Sequence, residues 1–151
     1  MDKISEVIAN AIRDEKYFYF FYIKLSEKAK NSNVKEELIR LAKEEQRHQQ
    51  KLEALKLNQQ DDFNSADFDE LQASQDAEQI PLDDFKDVKS MLNFAIKQEV
   101  IANMTYSKLA DSCTDAKIEA VFRELAAEEK KHELLLTGKL SLINQDFVLE
   151  W

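Results

Sequence analysis

The sequence contains the run Lys43-Glu44-Glu45-Gln46-Arg47-His48, and 84 residues later the run Ala127-Glu128-Glu129-Lys130-Lys131-His132. The chain has only two histidines, and each of them ends a Glu-Glu-x-x-His run. Residues three apart lie on one face of an α-helix, so the second glutamate and the histidine of each run can point toward a common site.

Both runs lie within apolar stripes that have the spacing of a buried helix face. The stripe residues are Val34, Leu38, Leu41, Glu45, His48, Leu52 and Leu55 around the first run, and Ile118, Phe122, Leu125, Glu129, His132 and Leu136 around the second. Steps of three and four predict amphipathic helices that bury this face. A buried carboxylate without a partner is costly, so the core must supply protons, partner groups or metal ions.

Two further stripes contain one glutamate each. They consist of Ile8, Ala11, Glu15, Phe18, Tyr22, Leu25 and Ala29, and of Leu92, Ala95, Glu99, Ala102, Tyr106, Leu109 and Cys113. An ungapped offset of 84 residues places Glu15 on Glu99 and Tyr22 on Tyr106, as well as the first Glu-Glu-x-x-His run on the second. This internal repeat predicts two helical hairpins of one design, related by a pseudo-twofold axis.

Composition favours one all-α domain over residues 1–151. The chain contains one glycine and one proline and is 34% charged, which is typical of long helices. The predicted helices cover about 2–30, 33–57, 84–111 and 115–137.

The short breaks inside each half predict antiparallel helix pairs, and thus a four-helix bundle. Asn33 and Glu36 have the spacing of a capping pair at the start of the second helix. Gly138 is predicted to end the fourth helix. The tail over 138–151 is expected to pack on the bundle or on a second subunit.

Residues 58–83 form an acidic connection between the two halves. From Asp61 to Asp87 there are ten acidic residues and one basic residue. About 26 residues can extend roughly 85 Å, which exceeds the roughly 37 Å of a 25-residue helix. We therefore interpret the segment as a long crossover along the bundle, anchored by Phe63, Phe68 and Leu71. The alternative is a separate acidic segment that loads metal.

Six side chains are predicted to face the centre of the bundle: Glu15, Glu45, His48, Glu99, Glu129 and His132. Two divalent cations would neutralise the four carboxylates. Carboxylates with imidazoles suit iron or manganese better than structural zinc. Glu45 and Glu129 are the predicted bridging ligands, and the other four are predicted to bind one metal each. A metal-free bundle with Glu–His pairs on its surface is the alternative.

In these residues the chain resembles the rubrerythrin-like branch of the ferritin-like di-iron carboxylate proteins. That family takes one Glu from each of two helices and Glu-x-x-His from each of the other two. The resemblance extends over nearly all of residues 2–138 and includes Ala-Ile-x-x-Glu and Leu-Ala-x-Glu-Glu-x-x-His. It implies a ferritin-like fold, two iron ions, and an oxidoreductase that reduces hydrogen peroxide or dioxygen with electrons from an external donor. Ferroxidase-like iron handling or manganese binding is the alternative function.

Several positions qualify the resemblance. Ala102 stands where rubrerythrins usually have a further carboxylate. Cys113 is the single cysteine, so the sequence contains no cysteine-rich rubredoxin segment, and the electron donor is expected to be another molecule. Tyr22 and Tyr106 would hydrogen-bond to ligand carboxylates or simply fill the core.

Charge and apolar pattern limit the partners. A net charge of -9 disfavours a nucleic-acid backbone. The aromatic run over 17–23 is far shorter than the roughly 20 residues of a membrane span. We therefore expect a soluble, cytoplasmic protein that does not bind membranes. Because that run is apolar around the whole helix, we also expect a homodimer with Phe20 or Phe21 in the contact.

Overall fold

The computed structural model describes residues 3–55, 63, 79–145 and 151. Within these residues the chain forms four α-helices and no strand. The helices are α1 (Lys3–Glu27), α2 (Ser32–Ala54), α3 (Val88–Ser112) and α4 (Ala116–Asn144), and a short 3-10 helix over Leu82–Asp84 precedes α3. This all-helical architecture agrees with the predicted four-helix bundle.

The start of α2 differs from the prediction. Asn31, and not Asn33, is the N-terminal cap, and its side-chain oxygen accepts hydrogen bonds from the backbone N–H groups of Asn33 and Val34 at 2.8 and 3.2 Å. The extended backbone of Asn31 brings its side chain over these free N–H groups. Asn33 therefore lies inside the first turn.

The start of α3 also lies later than predicted. Residues Leu82–Asp84 form the 3-10 turn, and α3 begins after Asp87, whose side chain accepts from the backbone N–H of Ser90 at 2.7 Å. Sequence periodicity could not separate the 3-10 turn from α3, because Leu82, Phe85 and Val88 all pack against the same buried cluster.

The prediction that Gly138 ends α4 is wrong, because the helix continues to Asn144. Leu140 and Ile143 pack against the buried cluster that contains Leu136. Their burial offsets the roughly 1 kcal/mol that one glycine costs in a helix. The first half of the predicted tail, residues 138–144, is therefore helix. Trp151 lies on the bundle, and its backbone oxygen accepts from the backbone N–H groups of Lys30 and Asn31, which end the α1–α2 turn.

Two apolar clusters form the core. One contains residues from the start of α1, the end of α2, the end of α3 and the start of α4: Ile4, Val7, Leu52, Leu109 and Phe122. The other contains residues from the opposite ends of the same helices: Leu25, Leu38, Leu92 and Leu136. Both hairpins are thus antiparallel. The six predicted inward-facing polar residues lie between the two clusters in each helix.

The segment between the hairpins is described only in part. Phe63 is buried beside Phe122, with ring centroids 6.2 Å apart, and pairs with Cys113 in an isolated antiparallel bridge. Phe68 and Leu71, the other predicted anchors, lie outside the described residues. Ahead of α3, the backbone carbonyl of Ile80 accepts from the Tyr17 hydroxyl at 2.6 Å.

The aromatic run of α1 has one exposed member. Phe21 is fully buried among this chain's own aromatic rings, so it cannot form the predicted subunit contact. Phe20 is 49% exposed, and the homodimer through Phe20 stays a prediction.

None of the helices in the described ranges combines the length and the apolar character of a membrane span.

Candidate metal centre

The polar centre of the bundle contains all six predicted ligand residues. Each is at most 3% exposed, although each carries an ionisable side chain. Glu15 and Glu99 come from α1 and α3, and the two Glu-x-x-His pairs come from α2 and α4. The helical repeat turns the glutamate and histidine of each pair to the same side, as their three-residue spacing requires.

These side chains form two overlapping groups. Glu15, Glu45, His48 and Glu129 make up one group, and Glu45, Glu99, Glu129 and His132 make up the other. In each group, four carboxylate or imidazole atoms lie within 4.8 Å of one another. Glu45 and Glu129 belong to both groups, so the two groups share a central pair of carboxylates.

Each histidine approaches the central glutamate of the other hairpin. His48 Nδ1 lies 2.7 Å from Glu129 Oε1, and His132 Nδ1 lies 2.8 Å from Glu45 Oε1. Within its own run, His48 Nδ1 is 3.8 Å from Glu45 Oε1. The short separations do not have the alignment of a hydrogen bond, and all four atoms stay without a hydrogen-bond partner. They converge as ligand atoms of a shared ion would.

Every one of the six residues leaves one buried atom unsatisfied within the described part of the chain. These atoms are Glu15 Oε2, Glu45 Oε1, His48 Nδ1, Glu99 Oε2, Glu129 Oε1 and His132 Nδ1. Nearly all buried polar atoms in native proteins have partners, so six unsatisfied atoms at one place require an explanation. Metal ions would satisfy all of them together, and the residues present therefore fit a di-metal centre.

The outer nitrogen of each histidine is held by a glutamate of the opposite hairpin. His48 Nε2 contacts Glu128 Oε2, and His132 Nε2 lies 2.6 Å from Glu44 Oε2. Once Nδ1 has lost its proton to a bound metal ion, a proton on Nε2 would keep the ring in the tautomer whose Nδ1 lone pair is directed at the centre. The hydrogen bond from His132 also lowers the pKa of Glu44. Sequence reasoning placed Glu44 and Glu128 beside the ligands but could not identify their partners, which lie on the other hairpin.

The two tyrosines hydrogen-bond to candidate ligands, again across the hairpins. Tyr22 OH donates to Glu99 Oε1 at 2.5 Å, and Tyr106 OH donates to Glu15 Oε1 at 2.6 Å. Burial and the nearby glutamate charges raise the pKa of both phenols well above the usual value. Both tyrosines therefore stay protonated donors, and each holds one carboxylate oxygen while the other oxygen remains free.

Crowding of carboxylates changes the protonation of the metal-free centre. Burial, and then the charges of neighbouring glutamates, raise the pKa of Glu45 and of Glu129 well above 4.5. Burial lowers the pKa of His132, but the Glu99 charge and the hydrogen bond to Glu44 outweigh it and raise the pKa to about 11. Without metal, the centre thus binds protons at its central glutamates and at His132.

A cavity of about 40 Å³ borders this centre between α1 and α3. Its walls include Glu15, Glu45, Glu99 and Glu129, together with Ala102 and Gln98. Sequence analysis did not single out Gln98. The only sequence signal for Gln98 is that it directly precedes the stripe residue Glu99, just as Asp14 directly precedes Glu15 in α1.

No protein-family model matches the chain, and no curated protein matches it. A solved structure of a hypothetical protein from Pyrococcus furiosus is similar, with a TM-score of 0.70 and 25% sequence identity. The similarity covers 93% of this chain and 89% of that one. It supports the all-helical fold over nearly the whole chain, and the name of that protein gives no activity.

Proposed function

We propose that this protein is a ferritin-like di-iron carboxylate protein of the rubrerythrin-like branch. The observation that carries the proposal is the pair of overlapping ligand groups, whose buried atoms converge without hydrogen-bond partners. Four buried carboxylates are costly without compensation, and two divalent cations would neutralise their charge. The mixture of carboxylates and imidazoles suits iron.

The arrangement supports distinct roles for the six residues. Glu45 and Glu129 belong to both groups, so we assign them as the ligands shared by two ions. Glu15 with His48 would complete one site. Glu99 with His132 would complete the other.

For this centre we propose the reduction of hydrogen peroxide or dioxygen with electrons from an external donor. Two ferrous ions bound there would supply one electron each, so that hydrogen peroxide with two protons yields two water molecules. The tyrosines orient Glu15 and Glu99 through their hydroxyl groups. The apolar clusters on both sides keep bulk water from the ligand atoms.

A binding protein of the same fold is the second candidate. The observation that favours it is the oxygen-rich ligand set, which suits manganese as well as iron. In that case the protein would handle iron in a ferroxidase-like reaction, or would hold manganese.

Stopped-flow absorption of protein loaded anaerobically with ferrous ions separates these functions. An enzyme consumes hydrogen peroxide repeatedly when a small reductant such as ascorbate is supplied. An iron-handling protein oxidises its ferrous ions once and does not turn over. Protein that reacts no faster than free ferrous ions in the same buffer would contradict both proposals.

A further inference from the structure

A row of aromatic rings extends from the metal centre along α1. Tyr22, whose hydroxyl donates to Glu99 Oε1 at 2.5 Å, is fully buried. Its ring contacts those of Phe18 and Phe21 at centroid distances of 5.9 and 5.4 Å. Both of these rings contact the ring of Tyr17, at 5.0 and 6.1 Å. The aromatic row therefore joins two phenol side chains through rings that pack at ordinary contact distances.

The outer end of the aromatic row is partly exposed. Tyr17 lies between the buried and the exposed residues of α1, and its hydroxyl donates to the backbone carbonyl of Ile80 at 2.6 Å. Tyrosine is oxidised more easily than phenylalanine, because its phenol oxygen stabilises the radical that forms. Tyr17 and Tyr22 are therefore the members of the row that can lose an electron. Of these two, Tyr17 is the one that solvent and a reductant can reach.

The other hairpin shows no equivalent route among its described residues. The ring of Tyr106 lies 6.4 Å from that of Phe122, which in turn lies 6.2 Å from that of Phe63. Phe122 and Phe63 are both buried, and neither carries a phenol. With the offset of 84 residues, Ile101 stands where α1 has Tyr17. A row of rings that leads from a candidate ligand to a partly exposed phenol is thus a feature of α1 and not of α3.

Such a row matters when the centre cannot supply all the electrons that peroxide needs. Reduction of hydrogen peroxide to two water molecules takes two electrons. Two ferrous ions supply both of them, but a single ferrous ion supplies only one. The remaining oxidising power would damage nearby groups, including the candidate ligands His48 and His132. Electron transfer slows exponentially with distance, so rings in contact favour an electron from the row over an electron from more distant groups.

We propose that Tyr22 and Tyr17 form an electron relay, which supplies the second electron when the centre holds only one ferrous ion. The inference rests on the proposed di-iron function and adds a redox role for these two tyrosines. The O–O bond breaks with one electron from the ferrous ion, one electron and one proton from Tyr22, and one proton from solvent, giving two water molecules. Tyr22 regains an electron from Tyr17 and a proton from solvent, while the phenol proton of Tyr17 goes to solvent. An external donor then returns one electron to Tyr17, together with a proton from solvent.

Electron paramagnetic resonance detects the resulting phenoxyl radical directly. Zinc has no redox chemistry, so protein loaded anaerobically with equal amounts of ferrous and zinc ions contains centres with a single redox-active ion. After mixing with hydrogen peroxide and rapid freezing, this protein should show a narrow phenoxyl signal. The signal should change shape when the tyrosines are deuterated on the ring. Protein loaded with ferrous ions alone should show a weaker signal, and protein loaded with zinc alone should show none.

The variant Tyr17→Phe tests the outer end of the relay. It removes one hydroxyl and keeps the ring, so metal content should not change. The radical then stays on Tyr22, beside the paramagnetic ferric ion that broadens its resonance, and the narrow phenoxyl signal should be lost. The matched control is Tyr19→Phe, which removes the hydroxyl of a ring that packs on Phe20 at 5.1 Å. This control should keep the full signal.

Mass spectrometry of the unchanged protein gives a readout that requires no variant. A nitroso spin trap added with the peroxide should label Tyr17 of the mixed-metal protein in preference to Tyr19, although both residues are partly exposed. Equal labelling of the two would show that free radicals in solution cause the oxidation, and would overturn the relay.

The relay and the proposed function fail in different ways. A narrow phenoxyl signal that persists in Tyr17→Phe overturns the relay alone. So does mixed-metal protein without any phenoxyl signal, or fully ferrous protein that reacts with dioxygen but not with peroxide. Protein that holds no metal, or whose fully ferrous form reacts with neither oxidant, overturns the proposed function and the relay together.

Discussion

At the scale of single residues, the centre depends on contacts that cross between the two hairpins. His48 Nδ1 lies nearer to Glu129 than to Glu45 of its own run, and His132 shows the same preference for Glu45 over Glu129. The three-residue spacing correctly predicted which side chains face inward. It could not predict which of them meet, because that depends on how far the two hairpins are shifted along each other.

The glutamates that hold the histidines provide a test at this scale. Replacing both Glu44 and Glu128 with alanine removes the partners of the Nε2 atoms, so the rings can rotate and change tautomer. We expect metal affinity to fall about 10- to 100-fold. Competition with a chelator of known affinity measures it. The matched control is Glu124→Ala, which removes an exposed glutamate of α4 that pairs with Lys51. Equal affinities of the double variant and this control would contradict the assigned role.

Protons and metal ions compete for the same atoms. The pKa values of Glu45 and Glu129 are raised, and that of His132 is about 11, so these groups must lose protons when metal binds. Affinity should therefore increase as pH rises from about 6 to about 8, with protons released on binding. Calorimetry in buffers with different ionisation enthalpies measures both quantities. An affinity that does not change with pH, without proton release, would show that the ligands are already deprotonated.

At the scale of helices, the sequence predicted the stripes well and the ends less well. The apolar periodicity of α1 to α4 follows from burial, which the residues show directly. The first residue of α2 was harder to predict, because Asn31, Ser32 and Asn33 are all good capping residues. Only the backbone conformation determines which of them is the cap. The end of α4 depends on the burial of Leu140 and Ile143, which outweighs the local signal of Gly138.

The choice of cap in α2 can be measured. Asn31→Ala removes the side-chain oxygen that accepts from two backbone N–H groups, so it should lower the free energy of unfolding by about 1 kcal/mol. Asn33→Ala is the matched control, and its effect should stay within about 0.5 kcal/mol because the position is exposed. Urea denaturation followed by circular dichroism gives both values. A larger loss for Asn33→Ala than for Asn31→Ala would place the cap at Asn33.

At the scale of the whole molecule, the fold keeps a cluster of acids at the centre of its core. For a carboxyl group with a raised pKa, the folded state binds more protons than the unfolded state above about pH 4.5, so stability decreases as pH rises. The centre therefore lowers the stability of the metal-free protein increasingly as pH rises, and bound cations would remove this cost. Sequence analysis predicted this conflict from the stripe glutamates, but it did not predict the cavity between α1 and α3, because the space between two helices depends on how they pack.

The double variant Glu45→Gln, Glu129→Gln tests this conflict. Glutamine has nearly the same shape and stays neutral, so the metal-free variant should be more stable than the unchanged protein by about 1 kcal/mol or more at about pH 8. The difference should shrink toward about pH 5, where the central glutamates hold their protons in the folded state. Thermal unfolding of both metal-free proteins across this range measures the effect. A variant that is less stable at every pH would show that the carboxylates are well compensated without metal.

Metal content per chain tests the central claim most directly. After anaerobic loading with ferrous ions and removal of excess, elemental analysis should find about two iron ions per chain. The variant Glu45→Ala, Glu129→Ala should lose them, whereas the control Glu53→Ala, Glu124→Ala, in which both glutamates are exposed, should keep them. A protein that is well folded by circular dichroism but holds no iron, or a central variant that holds as much as the control, would contradict the di-iron centre.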